Sequence, residues 1–250
     1  MSITIKSHRE IELMRHAGKL LGKTLEQLEK AIKPGMSTWE LNKIGDEIIK
    51  GYGCIPSFLN YNGYPASICI SVNDEVVHGI PKKDFILQEG DIVSIDAGLI
   101  YQGYHADAAR TVPVGEISDS AEKLIKVTKQ SFFEGMKYAK QGNHLFEISK
   151  AIGVYAESFG YGVVRSLTGH GIGSQLHEAP QIPNFKQRRR GPKIQSGMTF
   201  AIEPMINEGT WRVYWLNDDW TVCTEDGLLS AHYENTVLIT DGEPEILTLL

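Results

Sequence analysis

The sequence predicts an α/β (α+β) chain built as two like halves, each with two helices followed by antiparallel strands around a central sheet. Two observations carry this. The periodicity of apolar residues runs helix, helix, strands, and then helix, helix, strands again. One fixed shift of 107 positions also relates the two series. It takes Lys33 to Lys140, Gly35 to Gly142, Glu40 to Glu147, Lys43 to Lys150, Gly53 to Gly160, Gly90 to Gly197, Ile95 to Ile202 and Asp96 to Glu203. Trp39 maps to Phe146 and Tyr52 to Phe159 by the same shift.

Ser7-His8-Arg9-Glu10 has the form of a capping box, in which a hydroxyl and a carboxylate satisfy the free amides of a helix start. Ile11, Met14, Ala17, Leu21, Leu25, Leu28 and Ile32 then recur at helical spacing until Pro34-Gly35 ends the element. Ser37-Thr38-Trp39-Glu40 is a second box, opening a helix to about Gly51. Strands are expected at 67–73, 91–97 and 105–114, bounded by Gly, Pro and Asn. Helices are expected near 119–139 and 144–159, followed by strands at 162–166, 198–204 and 235–240. The halves divide at about 8–114 and 115–250, and together form a single catalytic domain over 1–250.

Composition narrows the function. The 250 residues are 42% hydrophobic and 22% charged, with room for a sizeable core. A net charge of −6 argues against a protein that coats DNA or a membrane surface. Apolar runs fall short of the roughly 18 residues that span a bilayer, and the N-terminus has no cleavable apolar signal. Three cysteines without metal-motif spacing suit a reduced, cytoplasmic setting.

The chemistry is carried by carboxylates in the wrong place. Asp96 lies in IVSIDAG and Asp107 in GYHADAA, inside runs that read as buried sheet, and a turn near Tyr101-Gln102-Gly103 would fold them onto one face of a hairpin. Glu203 in TFAIEPM and Glu234 in SAHYENTVLIT occupy similar apolar settings. Ionised carboxylates are rarely buried without a partner, and Arg110 is the sole nearby cation. One or two divalent metal ions would hold such a cluster ionised. His170, bracketed by glycines in TGHGIG, is a plausible fifth ligand, while His177 precedes Glu178-Ala179-Pro180 and His78 sits at a strand end before Gly-Ile-Pro. Mostly oxygen donors with one imidazole suit Mn(II), Fe(II) or Co(II) better than structural zinc. Bridging carboxylates allow two ions roughly 3.5–4 Å apart, which implies metal-assisted hydrolysis.

From about residue 3 to 248 the sequence resembles the type I methionine aminopeptidases of bacterial, short form. The resemblance rests on VNDEVVHGIP, EGDIVSIDAG, GYHADAA, GHGIGSQLHEAP, GMTFAIEPM and WTVCTEDGLLSAHYENTV, in that order. It implies the pita-bread fold of two pseudo-symmetric halves, and removal of an initiator methionine from nascent proteins when the second residue is small. It implies two divalent ions (Co, Mn, Fe(II), Ni or Zn) on Asp96, Asp107, His170, Glu203 and Glu234. In that scheme Asp107 and Glu234 bridge, Asp96 completes one site, and His170 and Glu203 complete the other. Glu203 also moves the proton, His177 binds the scissile carbonyl, and His78 contacts the substrate backbone or departing amine. Phe58, Tyr61, Tyr64, Cys69, Leu176 and Trp220 would form the methionine pocket.

Three positions depart from the family pattern. Leu167 replaces a methionine or aromatic, Leu176 a common phenylalanine, and His232 a frequent glutamine; they bear on pocket shape and the local proton network. The basic run Lys186-Gln187-Arg188-Arg189-Arg190 reads as a solvated loop, with the ribosome as its sharper partner reading. A monomer is expected. The rival readings are a proline-specific peptidase on the same fold, which generally carries an additional N-terminal domain, and a non-catalytic binding module, which typically loses metal ligands.

Overall fold

A computed structural model describes residues 2–249. The first helix, α1 (His8–Ala31), starts where the sequence signals it. Ser7 accepts from the Glu10 amide, and the Glu10 carboxylate accepts from the Ser7 amide at 2.7 Å. The second, α2 (Thr38–Gly51), repeats the box with Ser37 and Glu40. The buried stripe Ala17, Leu21, Leu25 and Leu28 of α1 packs on a long hairpin, Ile92–Tyr101 with Tyr104–Pro113. Gln102 and Gly103 form its turn at φ of 48° and 86°, the left-handed pair that a tight two-residue hairpin requires. The other edge of Ile92–Tyr101 carries Ile68–Val72 and Ile55–Pro56.

The second half repeats the plan. Helices α3 (Asp119–Met136) and α4 (Leu145–Glu157) cover a five-stranded sheet. Its order is Glu245–Ile246, Asn235–Leu238, Thr199–Ile202, Gly169–Gly171 and Glu178–Ile182. The shift of 107 also relates the backbone bonding. Isolated bridges join Ser37 to Ile86 and His144 to Lys193. The amide of Gly35 donates to Leu87 O, and that of Gly142 to Ile194 O. The correspondence fails after Glu203, where a hairpin of Val213–Trp215 and Val222–Thr224 is inserted; this hairpin joins Glu75–Val77 of the first half instead.

Several strands differ in extent from the sequence reading. The strand expected at 198–204 reduces to Thr199–Ile202 and stops ahead of Pro204, which has no amide to donate; Met205–Asn207 begins a separate strand. The run 162–166 reduces to Gly162–Val163, and 91–97 extends to Tyr101. Among the described residues, no helix is long and apolar enough to cross a membrane.

The two sheets meet along one seam. Asp107 and Thr236 exchange hydrogen bonds of 2.9 and 2.8 Å between backbone and hydroxyl. Glu234 and Ala109 exchange backbone bonds, and the His232 amide donates to Thr111 Oγ1 at 2.8 Å. Asp107 and Glu234 are therefore held by backbone contacts that do not involve their carboxylates.

Candidate metal centre and substrate pocket

Asp107 lies opposite Gly98 in the hairpin register, and Asp96 lies two residues before Gly98. Strand pleating then puts both carboxylates on one face. Cys69 is the partner of Asp96 on the adjoining strand, so its thiol shares that face. A side chain at position 98 would meet Phe58 and Ser57 at 2.9 Å, so glycine there lets the loop carrying Phe58 close over the hairpin. Glu203 follows Thr199–Ile202 directly, and Glu234 precedes the paired strand, where Asn235 faces Ile202. His170, paired with Ala201, enters from the next strand.

The imidazole of His170 is oriented by its own chain. Its Nδ1 lies 2.8 Å from Gly171 O, which fixes the ring proton on Nδ1 and leaves the Nε2 lone pair free. That Nε2 lies 3.6 Å from Glu203 Oε1 and 3.8 Å from Asp107 Oδ2. Ligand atoms of Asp107, His170 and Glu234 all fall within 4.8 Å of one another.

Among the described residues these carboxylates have no Lys or Arg partner. Arg110 spends its guanidinium on the carbonyls of Ala109 and Glu234 and on Asn235 Oδ1, not on the acids. Asp96 Oδ1, Asp107 Oδ1 and Glu234 Oε1 are buried without a hydrogen-bond partner. Burial pushes Asp96 up to about 7, and burial with neighbouring carboxylates pushes Asp107 and Glu234 well above the usual range. Glu203 is raised likewise, by burial and by Asp96. Burial lowers His170 to about 3 and His78 to about 4, leaving both rings neutral. Neutral imidazole and converging, unpartnered oxygens suit a hard or borderline divalent cation.

A cavity of about 270 Å³ opens onto this cluster, and all thirteen residues singled out from the sequence line it, together with Asn62. Tyr64, Trp220 and His78 form one wall, with Tyr64 edge-on to Trp220 at 5.1 Å and Trp220 edge-on to His78 at 6.3 Å. The Tyr64 hydroxyl donates to Gly79 O at 2.8 Å, which pins the ring. His78 holds a left-handed backbone, φ 60°, strained for a non-glycine residue. His177 packs against His170 with ring centroids 4.2 Å apart.

Tyr61 does more than line the cavity. Its hydroxyl lies 2.8 Å from His177 Nδ1. With the hydroxyl as donor, the ring proton resides on Nε2, and that N–H is free to face a substrate oxygen. Tyr61→Phe should therefore lower kcat for the expected hydrolysis by roughly tenfold, as the hydrogen bond orienting His177 is lost, with KM nearly unchanged. Steady-state kinetics at saturating metal checks this; an unaltered kcat would leave Tyr61 as pocket wall alone.

Two further neighbours, His105 and Asn62, escaped the sequence reading, and His232, noted there as a departure from the family pattern, lies beside the site with them. His105 is buried against Ser57 Oγ at 2.9 Å, and burial together with His177 lowers it to about 4. The signal was present, since His105 stands two residues before Asp107 and so shares its face. Asn62 lines the cavity from a left-handed position, φ 48°. His232 is fully buried with both ring nitrogens unpartnered, its Nε2 3.8 Å from Glu203 Oε2. In the basic run, Lys186, Arg188, Arg189 and Arg190 are exposed, and Arg190 pairs with Glu147 at 2.6 Å.

The profile of metallopeptidase family M24 matches residues 12–241. The methionine aminopeptidase of Clostridium acetobutylicum is 58% identical over 247 residues, covering 99% of both chains. Methionine aminopeptidase 1 of Bacillus subtilis is 50% identical, over 98% of this chain and 99% of that one. The crystal structure of methionine aminopeptidase from Thermotoga maritima superimposes with a TM-score of 0.97 at 44% identity, each chain covered completely. Prolidase from Pyrococcus furiosus, at 23% identity, a TM-score of 0.78 and 65% of its own chain covered, shares the fold alone.

Proposed function

The chain belongs to metallopeptidase family M24, among its type I methionine aminopeptidases with the pita-bread fold, and from that premise we propose that it removes the N-terminal methionine from nascent polypeptides whose second residue is small. The observation that carries the site assignment is the convergence of buried, cation-free carboxylates beside an apolar cavity. The catalytic unit is the single domain 1–250, with its halves at about 8–114 and 115–250.

Two divalent ions would be held by Asp96, Asp107, His170, Glu203 and Glu234. When bound, such ions supply an acidified water and polarise the scissile carbonyl. Phe58, Tyr64, Cys69, Leu176 and Trp220 receive the methionine side chain, whose flexible thioether suits an aromatic and thiol-lined space. His177 donates from Nε2 to the carbonyl oxygen and stabilises the charge that develops there. Glu203 takes a proton from the attacking water and passes it to the leaving amine. His78, neutral at working pH, holds the substrate backbone. A small second side chain is expected because the substrate backbone must reach the acids at one end of the cavity. The protein acts as a cytoplasmic monomer, and Arg188, Arg189 and Arg190 offer a contact to the ribosome.

Offered Met-Gly-Met, Met-Lys-Met and Ala-Pro peptides, the metal-loaded protein should release methionine from the first and leave the others largely intact. Preferential cleavage of the Ala-Pro peptide would favour the proline-specific reading.

Metal binding should also release protons. The raised carboxyls retain protons near neutral pH in the metal-free protein, whereas ligation requires them ionised. Affinity should therefore rise from pH 6 to pH 8. The neutral histidines contribute no protons over that range. Calorimetry at pH 7 in two buffers of unlike ionisation heat measures the number released; identical heats would contradict raised carboxyls.

A further inference from the structure

The loop Gly173 to Glu178, which delivers His177, is fastened by the N-terminal segment ahead of α1. Lys6 Nζ lies 2.7 Å from Glu178 Oε2, and the two side chains are only 4% and 10% exposed. Thr4 Oγ1 donates to the same carboxylate oxygen and in turn accepts from Lys6 Nζ. The other oxygen, Glu178 Oε1, accepts from the Gln175 amide at 3.3 Å. Lys6 is itself anchored, its amide donating to Gly197 O at 2.8 Å. Gly173 leaves the space this requires, since a Cβ there would sit 2.4 Å from Lys6 Cε and 2.5 Å from Glu178 Oε1. The carbonyl of Gly173 accepts from the His105 amide at 2.8 Å, which ties the loop to the strand bearing Asp107.

We propose that the Lys6–Glu178 ion pair is a positioning device for His177, so that the N-terminal segment completes the catalytic site without touching substrate. A buried ion pair is a poor source of net stability, because desolvation offsets the attraction. What it supplies is direction. A carboxylate with donors on both oxygens has one orientation, and Glu178 is the residue after His177. Where strand Gly169–Gly171 pairs with Glu178–Ile182, the register shifts between His170 and Gly171. Beyond that bulge Glu178 pairs with Gly171 through its backbone, so the ladder fixes the strand while the ion pair fixes the Glu178 side chain and the loop leading into it. Tyr61 sets the ring of His177, and Lys6 sets the backbone from which that ring projects.

The inference rests on the assignment of His177 to the carbonyl oxygen, so His177→Ala belongs in the same experiment. Lys6→Met, Glu178→Gln, the double variant and Lys6→Arg would be assayed with Met-Gly-Met at saturating manganese. Manganese binding to each metal-free variant would be measured by calorimetry. The proposal expects each single change to lower kcat about 10- to 100-fold, the range for displacing a catalytic group by roughly an ångström. KM and manganese binding should stay within about twofold. The double variant should be no slower than the slower single, and Lys6→Arg should recover most of the rate. Should Lys6→Met fail to fold, Glu178→Gln, which keeps the side-chain shape, carries the test. A kcat within twofold of the parent for Glu178→Gln, additive losses in the double variant, or a parallel loss of manganese binding would each overturn it. If His177→Ala retains the parental rate, it is the role of His177 that fails instead.

Discussion

Asp107→Asn should abolish methionine release at any concentration of added divalent ion. A metal supplies several kcal/mol of transition-state stabilisation, which at about 1.4 kcal/mol per decade is a loss of roughly a thousandfold or more. The amide keeps the shape of the side chain but not the charge. The fold should survive, because Asp107 is held by its backbone bonds to Thr236 and not through its carboxylate. Stability should move in opposite senses with and without metal. In the metal-free parent, the raised Asp107 carboxyl costs stability as pH rises from the ordinary carboxylate range through its folded value. The variant has no such proton to lose, so metal-free Asp107→Asn should melt above the metal-free parent at pH 8. With metal present the order should reverse, since only the parent gains ligand binding in the folded state. Differential scanning calorimetry of the four samples measures the crossover. A metal-free variant that melts below the parent at pH 8 would mean the carboxylate is satisfied in some other way.

His177→Ala should show the complementary pattern. Loss of one preorganised donor to a developing oxyanion costs about 10²- to 10³-fold in kcat. Metal binding should persist, because the five residues proposed as ligands are untouched. The ring of His177 lies tilted against His170, with centroids 4.2 Å apart, but outside the cluster of ligand atoms. Full metal stoichiometry with a rate loss of that size would separate substrate polarisation from metal retention. Loss of metal in step with rate would place His177 among the ligands.

Much of this was legible in the amino-acid sequence, where the signals were local. The capping boxes at Ser7 and Ser37 mark α1 and α2 to within a residue, because hydroxyl and carboxylate act on amides three positions away. The Asp96–Asp107 hairpin was legible because an acid in an apolar strand is an anomaly and Gln102-Gly103 closes the turn. The three-residue strands Gly169–Gly171, Val213–Trp215 and Val222–Thr224 were not, as they are too short to display a period of two. The inserted hairpin also explains why the shift of 107 stops short of Glu234. All thirteen residues proposed for the site line one cavity, yet their pairings were hidden. Tyr61 reads as an aromatic wall until its hydroxyl is seen at His177 Nδ1. Lys6 and Glu178 are 172 residues apart, and nothing in either stretch announces the other.

Assignment of the buried carboxylates to catalytic metal decides the rest of the mechanism. Its most direct test is an anaerobic titration of chelator-stripped protein with Mn(II), Fe(II), Co(II), Ni(II) or Zn(II), following methionine release from Met-Gly-Met. No release is expected without metal, with activity that rises with at least one of these ions and saturates by two per chain, and no response from Asp107→Asn. Methionine release by the stripped protein, or none with any of the five ions, would contradict it.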